Sequence, residues 1–560
     1  MSAPVRIGNA SGFYGDRFAA VHEMLTGGPL DVLTGDYLAE LTMLILGRDL
    51  LKNPSLGYAR TFLRQLEGSL GVAAERGVKI VANAGGLNPA GLAGAVRELA
   101  ERLGLEVRVA HVEGDDLRER AGELGLGRPL TANAYLGAWG IAACLRAGAD
   151  VVVTGRVTDA SLVVGPAAAH FGWGAGDLDA LAGAVVAGHV LECGAQATGG
   201  NYAFFTELDL ARPGFPVAEV FADGSSVITK HDGTGGAVTV ETVTAQLLYE
   251  IAGARYLGPD VSARFDTVRL SAQGAGRVRI SGVRGEPPPS TTKVCLNRLG
   301  GFRNSTTFVL CGLDLAAKAG LVRAQLEAAV GTDGLTWTLA RTDHPDAATE
   351  QEASALLQVT IKTPDQQRAK ALSRAAVELA LASYPGFTVT APPSDGAPFG
   401  IYTAGHVDAK LVDHVAVLPD GTRVPIQPAA SFGPDETFVD IAAPAAADPG
   451  RTARVPLGRL VGARSGDKGG DASLGVWARS DRAYPWLAGY LSAGRLARLL
   501  PEAAGLPVER QLLPNLRAVN FVIRGLLGDG VAASTRFDPQ AKALGELLRS
   551  RHADVPEELL

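Results

Sequence analysis

The residues of this chain best suited to chemistry stand where short apolar runs stop. Val151, Val152 and Val153 form a run of β-branched residues that suits a strand buried on both faces. It ends abruptly in Thr154, Gly155, Arg156, Thr158 and Asp159: a cation, two hydroxyls and a carboxylate in six residues. In an open α/β sheet such carboxyl ends are where ligands bind. Four more runs end alike. Residues 5–7 lead into Asn9, Ser11 and Gly12, and 31–33 into Asp36. Residues 79–81 lead into Asn83, Gly85, Gly86 and Asn88, and 106–110 into His111, Glu113, Asp115 and Asp116.

The glycine-rich turn after the first run matches neither the dinucleotide fingerprint nor a P-loop. It either brings backbone N–H groups to an anion or makes a tight strand-to-helix turn. Asn83 and Asn88 carry amides that can orient a carbonyl or carboxylate without titrating, or simply build an Asn-rich turn. Asp36 and Glu40, four apart, are either an acid and base on one helix face or compensation of a helix dipole.

Two denser clusters follow. Glu192, Cys193, Gln196, Thr198 and Asn201 join a carboxylate, a thiol, two amides and a hydroxyl. Cys193 is a nucleophile if a base lowers its pKa and otherwise a buried core residue; His189 lies nearby in sequence. Lys230, His231 and Asp232, ahead of Gly233, Gly235 and Gly236, are either a proton-transfer group with an anion cradle or a polar loop. Glu192, Cys193, His231, Asp159 and Asp36 are thus the catalytic candidates. Asn9, Ser11, Gly12, Asn83, Gly85, Gly86, Asn88, Thr154, Arg156, Gln196, Asn201 and Asp232 are the substrate-binding candidates. Near the C-terminus, Arg464 and Lys468 in a glycine loop could hold a phosphate or carboxylate, or Asp467 and Lys468 could pair in a solvated turn. The patterns HExxH, CxxC and G-x-S-x-G do not occur, so neither a dedicated metal site nor a serine-hydrolase elbow is indicated.

The elements that position these residues alternate. Helical patterns at 18–24, 37–46, 90–103 and from about 160 separate the five runs, which implies a mostly parallel sheet with helices on both faces over 1–180, a barrel being the weaker option. A second region, 181–441, mixes strands (265–270, 278–280, 309–311, 357–361) with an amphipathic helix over 365–382. Small residues and proline mark a linker at 442–454, and 455–560 has α+β composition. A chain of 560 residues is long enough for two or three domains. A net charge of −7 with no basic cluster argues against nucleic acid. Four scattered cysteines, no signal core in residues 1–7 and no 18-residue apolar stretch predict a soluble, cytoplasmic protein away from membranes.

Residues 6–17 (RIGNASGFYGDR), 33–43 (LTGDYLAELTM), 154–159 (TGRVTD), 192–201 (ECGAQATGGN) and 230–236 (KHDGTGG) resemble the acyclic terpene utilisation AtuA family. Residues 463–469 (ARSGDKG) with Asn520 and Phe521 resemble the ferredoxin-fold domain often joined to it. Ala541 departs from the pattern, which expects glycine there. The resemblance implies catabolism of acyclic terpenoids through branched acyl-CoA intermediates, with neighbours or fusion partners among biotin-dependent acyl-CoA carboxylases. The leading expectation is therefore an enzyme that moves protons on a carboxylated acyl-CoA or its free acid, of lyase, hydratase or hydrolase type. No cofactor is expected beyond CoA as part of the substrate. A homo-oligomer is expected, with association with an acyl-CoA carboxylase as a further partner. The alternatives are a non-catalytic subunit of such a carboxylase and a small-molecule binding protein.

Overall fold

The computed structural model describes residues 3–444 and 450–560. The middle of the expected linker, 445–449, and the first two residues of the N-terminal stretch lie outside the described residues. All five apolar runs become strands: β1 (Val5–Asn9), β2 (Val32–Gly35), β3 (Lys79–Ala82), β4 (Val109–Glu113) and β5 (Val151–Thr154). They pair in parallel in the order β1-β2-β3-β5-β4. Antiparallel strands extend both edges. Pro216–Val220, Ser226–Lys230, Val278–Ser281 and Arg269–Ala272 continue beyond β1, and Val415–Val417 and Arg423–Pro425 beyond β4, giving an open sheet of eleven strands rather than a barrel.

The continuous apolar runs are explained by burial on both faces. Successive side chains point to opposite sides of a sheet, and here each side has its own core. Val32, Val81, Ala110 and Val152 pack with the helices Trp139–Arg146, Ser161–Phe171 and Leu178–Leu191. Leu33, Ile80, Val109, Val151 and Val153 pack with Ala20–Gly27, Arg60–Glu67, Leu70–Arg76 and Pro89–Arg102. This is the expected α/β sheet with helices on both faces.

The compact units cut the chain differently from the expected boundary at 180. One unit comprises 1–297, 402–531 and 540–560; the other comprises 298–401 and 532–539. The second unit has its own antiparallel strands, Leu335–Ala340, Ser354–Thr363 and the 302–311 part of Thr291–Cys311. The helices Leu315–Val330 and Gln366–Glu378 close its core around Phe308, Leu357 and Ile361. The strand expected at 265–270 is instead a 3₁₀ turn, Phe265–Thr267, followed by Arg269–Ala272.

The C-terminal region belongs to the first unit. Its four antiparallel strands run in the order Val461–Lys468, Asp471–Ala478, Ala518–Ile523, Val508–Leu513. Leu474, Val476 and Phe521 face that region's own core with the helices Ala483–Tyr490, Ala493–Leu499 and Leu544–Ser550. Trp477, Leu513 and Ala518 face the other way, into the core of the large sheet. At Gly475 the strand comes so close that a Cβ would stand 2.5 Å from that of Leu248.

Candidate functional site

The polar ends of the parallel strands brace one another. After β2, the Asp36 N–H donates to the Ser11 carbonyl (2.9 Å). Its Oδ1 accepts from Asn83 Nδ2 (2.6 Å) and from the Leu38 N–H (3.1 Å), while Asn83 Oδ1 accepts from the Tyr37 N–H (2.7 Å). After β5, the Arg156 N–H donates to Asp115 Oδ2 (2.8 Å), which Asn133 Nδ2 also reaches at 2.8 Å. The Arg156 guanidinium donates to the Leu38 carbonyl (3.0 Å), meets Asp159 Oδ1 at 2.9 Å and stacks over the Tyr135 ring at 4.2 Å. Asp36 and Glu40 do not share a helix face. The helix begins at Glu40, and Asp36 stays at the strand end.

The Glu192 loop folds back onto this edge. Asn9 Nδ2 donates to the carbonyls of Leu191 (2.5 Å) and Glu192 (3.3 Å), fixing the end of Leu178–Leu191 against β1. Gly12 lies against Cys193, where a Cβ would fall 2.7 Å from its carbonyl carbon. Glu192 Oε1 stands 2.9 Å from His189 Nδ1, and its Oε2 is buried without a hydrogen-bond partner among the described residues. The His189 ring packs beside the stacked pair Tyr256 and Phe265, at 5.1 and 5.5 Å.

Distant segments add further charges. Lys293, at the start of Thr291–Cys311, places its ammonium 4.7 Å from the Tyr135 ring and 3.9 Å from Glu40 Oε1. The C-terminal region brings Arg464, Asp467, Lys468 and Lys542. Arg464 donates to Gln196 Oε1 and to the Asn201 carbonyl (3.4 Å). Lys468 donates to the Glu250 carbonyl (2.8 Å), and Lys542 lies 3.6 Å from the Glu250 carboxylate and 3.7 Å from that of Asp467. Arg156 and Glu192 are only 4% and 6% exposed at their side chains, yet Asp159, Glu40 and Lys293 retain 27%, 26% and 34%. The cluster, here called the recess, therefore runs from a floor of buried side chains to side chains within reach of solvent.

This crowding separates the carboxyl groups into two kinds. Burial, then the charge of Asp159, pushes Asp36 well above the usual carboxylate range, against Arg156 and Asn83. Burial and Asp159 push Glu192 up as well, against Lys468 and Arg156. Burial and Glu40 raise Glu250 to about 8, and burial and Glu250 raise Asp467 to about 8. Glu40 goes the other way: burial alone would raise it, but Lys293 and Arg156 outweigh that and hold it ionised. His189, pushed down to about 4 by burial and Lys468, is neutral beside Glu192. Acids and bases set apart in one cleft are the mark of proton-transfer sites.

Several sequence candidates serve other ends. Burial and the neighbouring Glu192 and Glu250 carboxylates push the Cys193 thiol well up, which holds it as a thiol rather than a nucleophilic thiolate. His231 gives Nε2 to a contact with the Met24 carbonyl (3.0 Å) and packs against Gly27 and Gly28; Asp232 is exposed. Neither joins the interactions described above. Asn88 caps the helix Pro89–Arg102 by accepting from the Gly91 N–H (2.9 Å). Thr154 turns its hydroxyl to the Gly155 carbonyl and Ser11 to that of Phe13. Gly85 allows β3 to approach the Thr154 carbonyl, and Gly86 takes φ +53. The loop after His231 reaches the Glu192 loop at Gly236 and Ala237, which pack on Thr198. Lys293, Tyr135 and Glu250 carry no sequence signal; in the structure Glu250 adopts φ +57, unusual for a non-glycine residue.

Two family models match the chain. One, described as acyclic terpene utilisation family protein AtuA, covers residues 5–418; the other, the AtuA ferredoxin-like domain, covers 455–554. Comparison with curated proteins and with solved structures found no match. Ala541, where the resemblance led glycine to be expected, holds φ +53, the left-handed region that favours glycine.

Proposed function

Since the chain belongs to the acyclic terpene utilisation AtuA family, we propose that it is a catabolic enzyme that moves protons on a branched, carboxylated acyl-CoA or its free acid, in a lyase or hydratase type of reaction. The observation that carries this reading is the meeting, about the Arg156 guanidinium, of two opposed carboxyl groups: Glu40, which Lys293 and Arg156 hold low, and Glu192, which burial and Asp159 push up and whose Oε2 has no hydrogen-bond partner among the described residues. An anionic substrate group or an enolate oxygen finds its counter-charge at Arg156 and Lys293. Glu40 or Asp159 takes a proton from the carbon next to the carbonyl. The electron pair moves onto the carbonyl oxygen, where the cations hold it, and Glu192 delivers a proton as the enolate collapses. Asp36, locked by Asn83 and Leu38, keeps the edge of β2 in register with Arg156.

The test uses the full chain with a panel of branched and carboxylated acyl-CoA esters and free acids in deuterated water, read by mass spectrometry. Deuterium uptake next to the carbonyl, with or without net product, is expected for at least one of them. Glu192→Gln should lower the rate by roughly 10²–10⁴-fold, the usual contribution of a positioned acid. The reading is lost if no ester or acid exchanges or turns over, or if Glu192→Gln and Arg156→Met both leave the rate unchanged.

A further inference from the structure

The recess is not closed by the eleven-stranded sheet and its loops alone. The hairpin formed by Val461–Lys468 and Asp471–Ala478 drives its turn into it. Glycines permit that depth: a Cβ at Gly466 would stand 2.5 Å from the Tyr249 ring, and one at Gly469, with φ +66, would stand 2.7 Å from the Tyr402 ring. Arg464 fastens the hairpin to the Glu192 loop through Gln196 and Asn201 and stacks 4.5 Å from the Tyr249 ring centroid. Lys468 then lies at the tip with its ammonium on the Glu250 carbonyl.

We propose that Lys468 is a substrate-contacting cation of this site, supplied by the ferredoxin-like domain, so that the recess is completed in cis by the C-terminal fifth of the site's own chain. The assignment rests on the reading of the recess as a ligand site and goes beyond it by naming a residue outside the larger family domain. The charges facing Lys468 come from four separate segments: Lys293 on its strand, Glu250 in the loop before 255, Glu40 at its helix start and Glu192 at the end of Leu178–Leu191, with Asp467 adjacent on the hairpin. A lone ammonium paired with one carboxylate has little to offer a ligand. Lys468 instead hydrogen-bonds a neutral carbonyl, feels the charge of a second ammonium at Lys293, and shares the surrounding carboxyl groups, of which burial pushes Glu192 and Glu250 upward. An anionic oxygen bound by Lys468 offsets the repulsion that its ammonium feels from Lys293. Burial and Lys293 also depress the Lys468 ammonium below the ordinary lysine range, which raises the share of free amine near neutral pH.

The experiment labels the full-length protein with the amine-reactive N-hydroxysuccinimidyl acetate near neutral pH, with and without glutaryl-CoA or free glutarate, and measures each lysine by peptide mass spectrometry. Lys468 should be labelled and should be protected at least about fivefold by one of the two probes, while the exposed Lys52 is not. Lys468→Met should weaken binding of that probe at least about tenfold, and Lys468→Arg should recover most of it, with the thermal midpoint of both variants near that of the parent. Protection without deuterium exchange into any substrate would leave Lys468 in place and remove the proton-transfer reading. Labelling of Lys468 that neither probe changes, or probe binding unaltered in Lys468→Met, overturns the proposal, whether or not the protein proves to be an enzyme.

Discussion

Glu192 and Glu40 differ by what stands next to them, and that difference sets the pH behaviour. A rate that needs protonated Glu192 falls as pH rises through its elevated pKa, and Glu192→Gln should flatten this alkaline limb. A rate that needs ionised Glu40 falls only below the ordinary carboxylate range, because Lys293 and Arg156 hold it down. Lys293→Met should therefore move the acid limb upward, as a pH profile of kcat/KM would show; an unmoved limb removes Glu40 from the mechanism. Stability follows the same charges. Glu250 and Asp467, at about 8 when folded, bind protons more tightly in the folded than in the unfolded chain. Their contribution is complete below the unfolded carboxylate pKa and is lost as pH rises toward 8. His189 and His414, at about 4 when folded, contribute above the unfolded histidine pKa of about 6.5 and lose that contribution as pH falls toward 4. Between about pH 6.5 and 8 the carboxyl loss is thus unopposed by these histidines. The melting temperature should decline across that window and decline less in Asp467→Asn; an equal slope in the variant removes Asp467 as its source.

Elements decide which polar residues reach the site, and here the sequence was partly legible. Each parallel strand reads as a short apolar run because both of its faces are buried, and the run stops where the chain emerges at the polar edge. Asp36, Asn83, Arg156 and Asp159 were visible for that reason. Asn88 satisfies the same pattern but sits one turn later, at the start of a helix, where its side chain caps the backbone. Replacing it with alanine should cost about 1 kcal/mol of stability, the usual worth of such a cap, and leave turnover unchanged; thermal melts and steady-state rates on one preparation separate the two. Gly12→Ala should do the opposite. Its Cβ would press on the Cys193 backbone at 2.7–2.9 Å, which cannot swing aside as a flexible side chain would. The displaced Glu192 corner should then lower activity at least tenfold; full activity would show that the corner can yield. Lys293 and Glu250 were not legible, because nothing in a strand or a helix end marks a residue whose partners lie more than a hundred positions away.

At the scale of the whole molecule the site depends on how the C-terminal region is held. Its sheet is apolar on both sides, so one face closes its own core and the other is spent on the large domain. Side chains finish the docking by pairing with backbone groups of the loops and the short 3₁₀ turn of the large domain. Asn520 Nδ2 donates to the carbonyls of Ile251 (3.1 Å) and Ala252 (3.0 Å), and Asn515 Nδ2 to those of Phe265 (2.8 Å) and Val268 (2.9 Å). Gln511 Oε1 accepts from the N–H groups of Ala254 (3.3 Å) and Val439 (2.9 Å). The segment so held is continuous with Glu250, whose carbonyl carries Lys468. Asn520→Leu keeps the branched shape, at a larger volume, but leaves the Ile251 and Ala252 carbonyls without their donor, at roughly 1–3 kcal/mol for each buried group left unpaired. Amide exchange should accelerate together at 248–254 and at 461–468, because the loop and the hairpin hold each other. The Michaelis constant should rise as Lys468 loses its seat. Exchange that accelerates only within the C-terminal strands, with the loop and the Michaelis constant unchanged, would mean that the hairpin docks through its apolar face alone and that Asn520 has no part in placing Lys468.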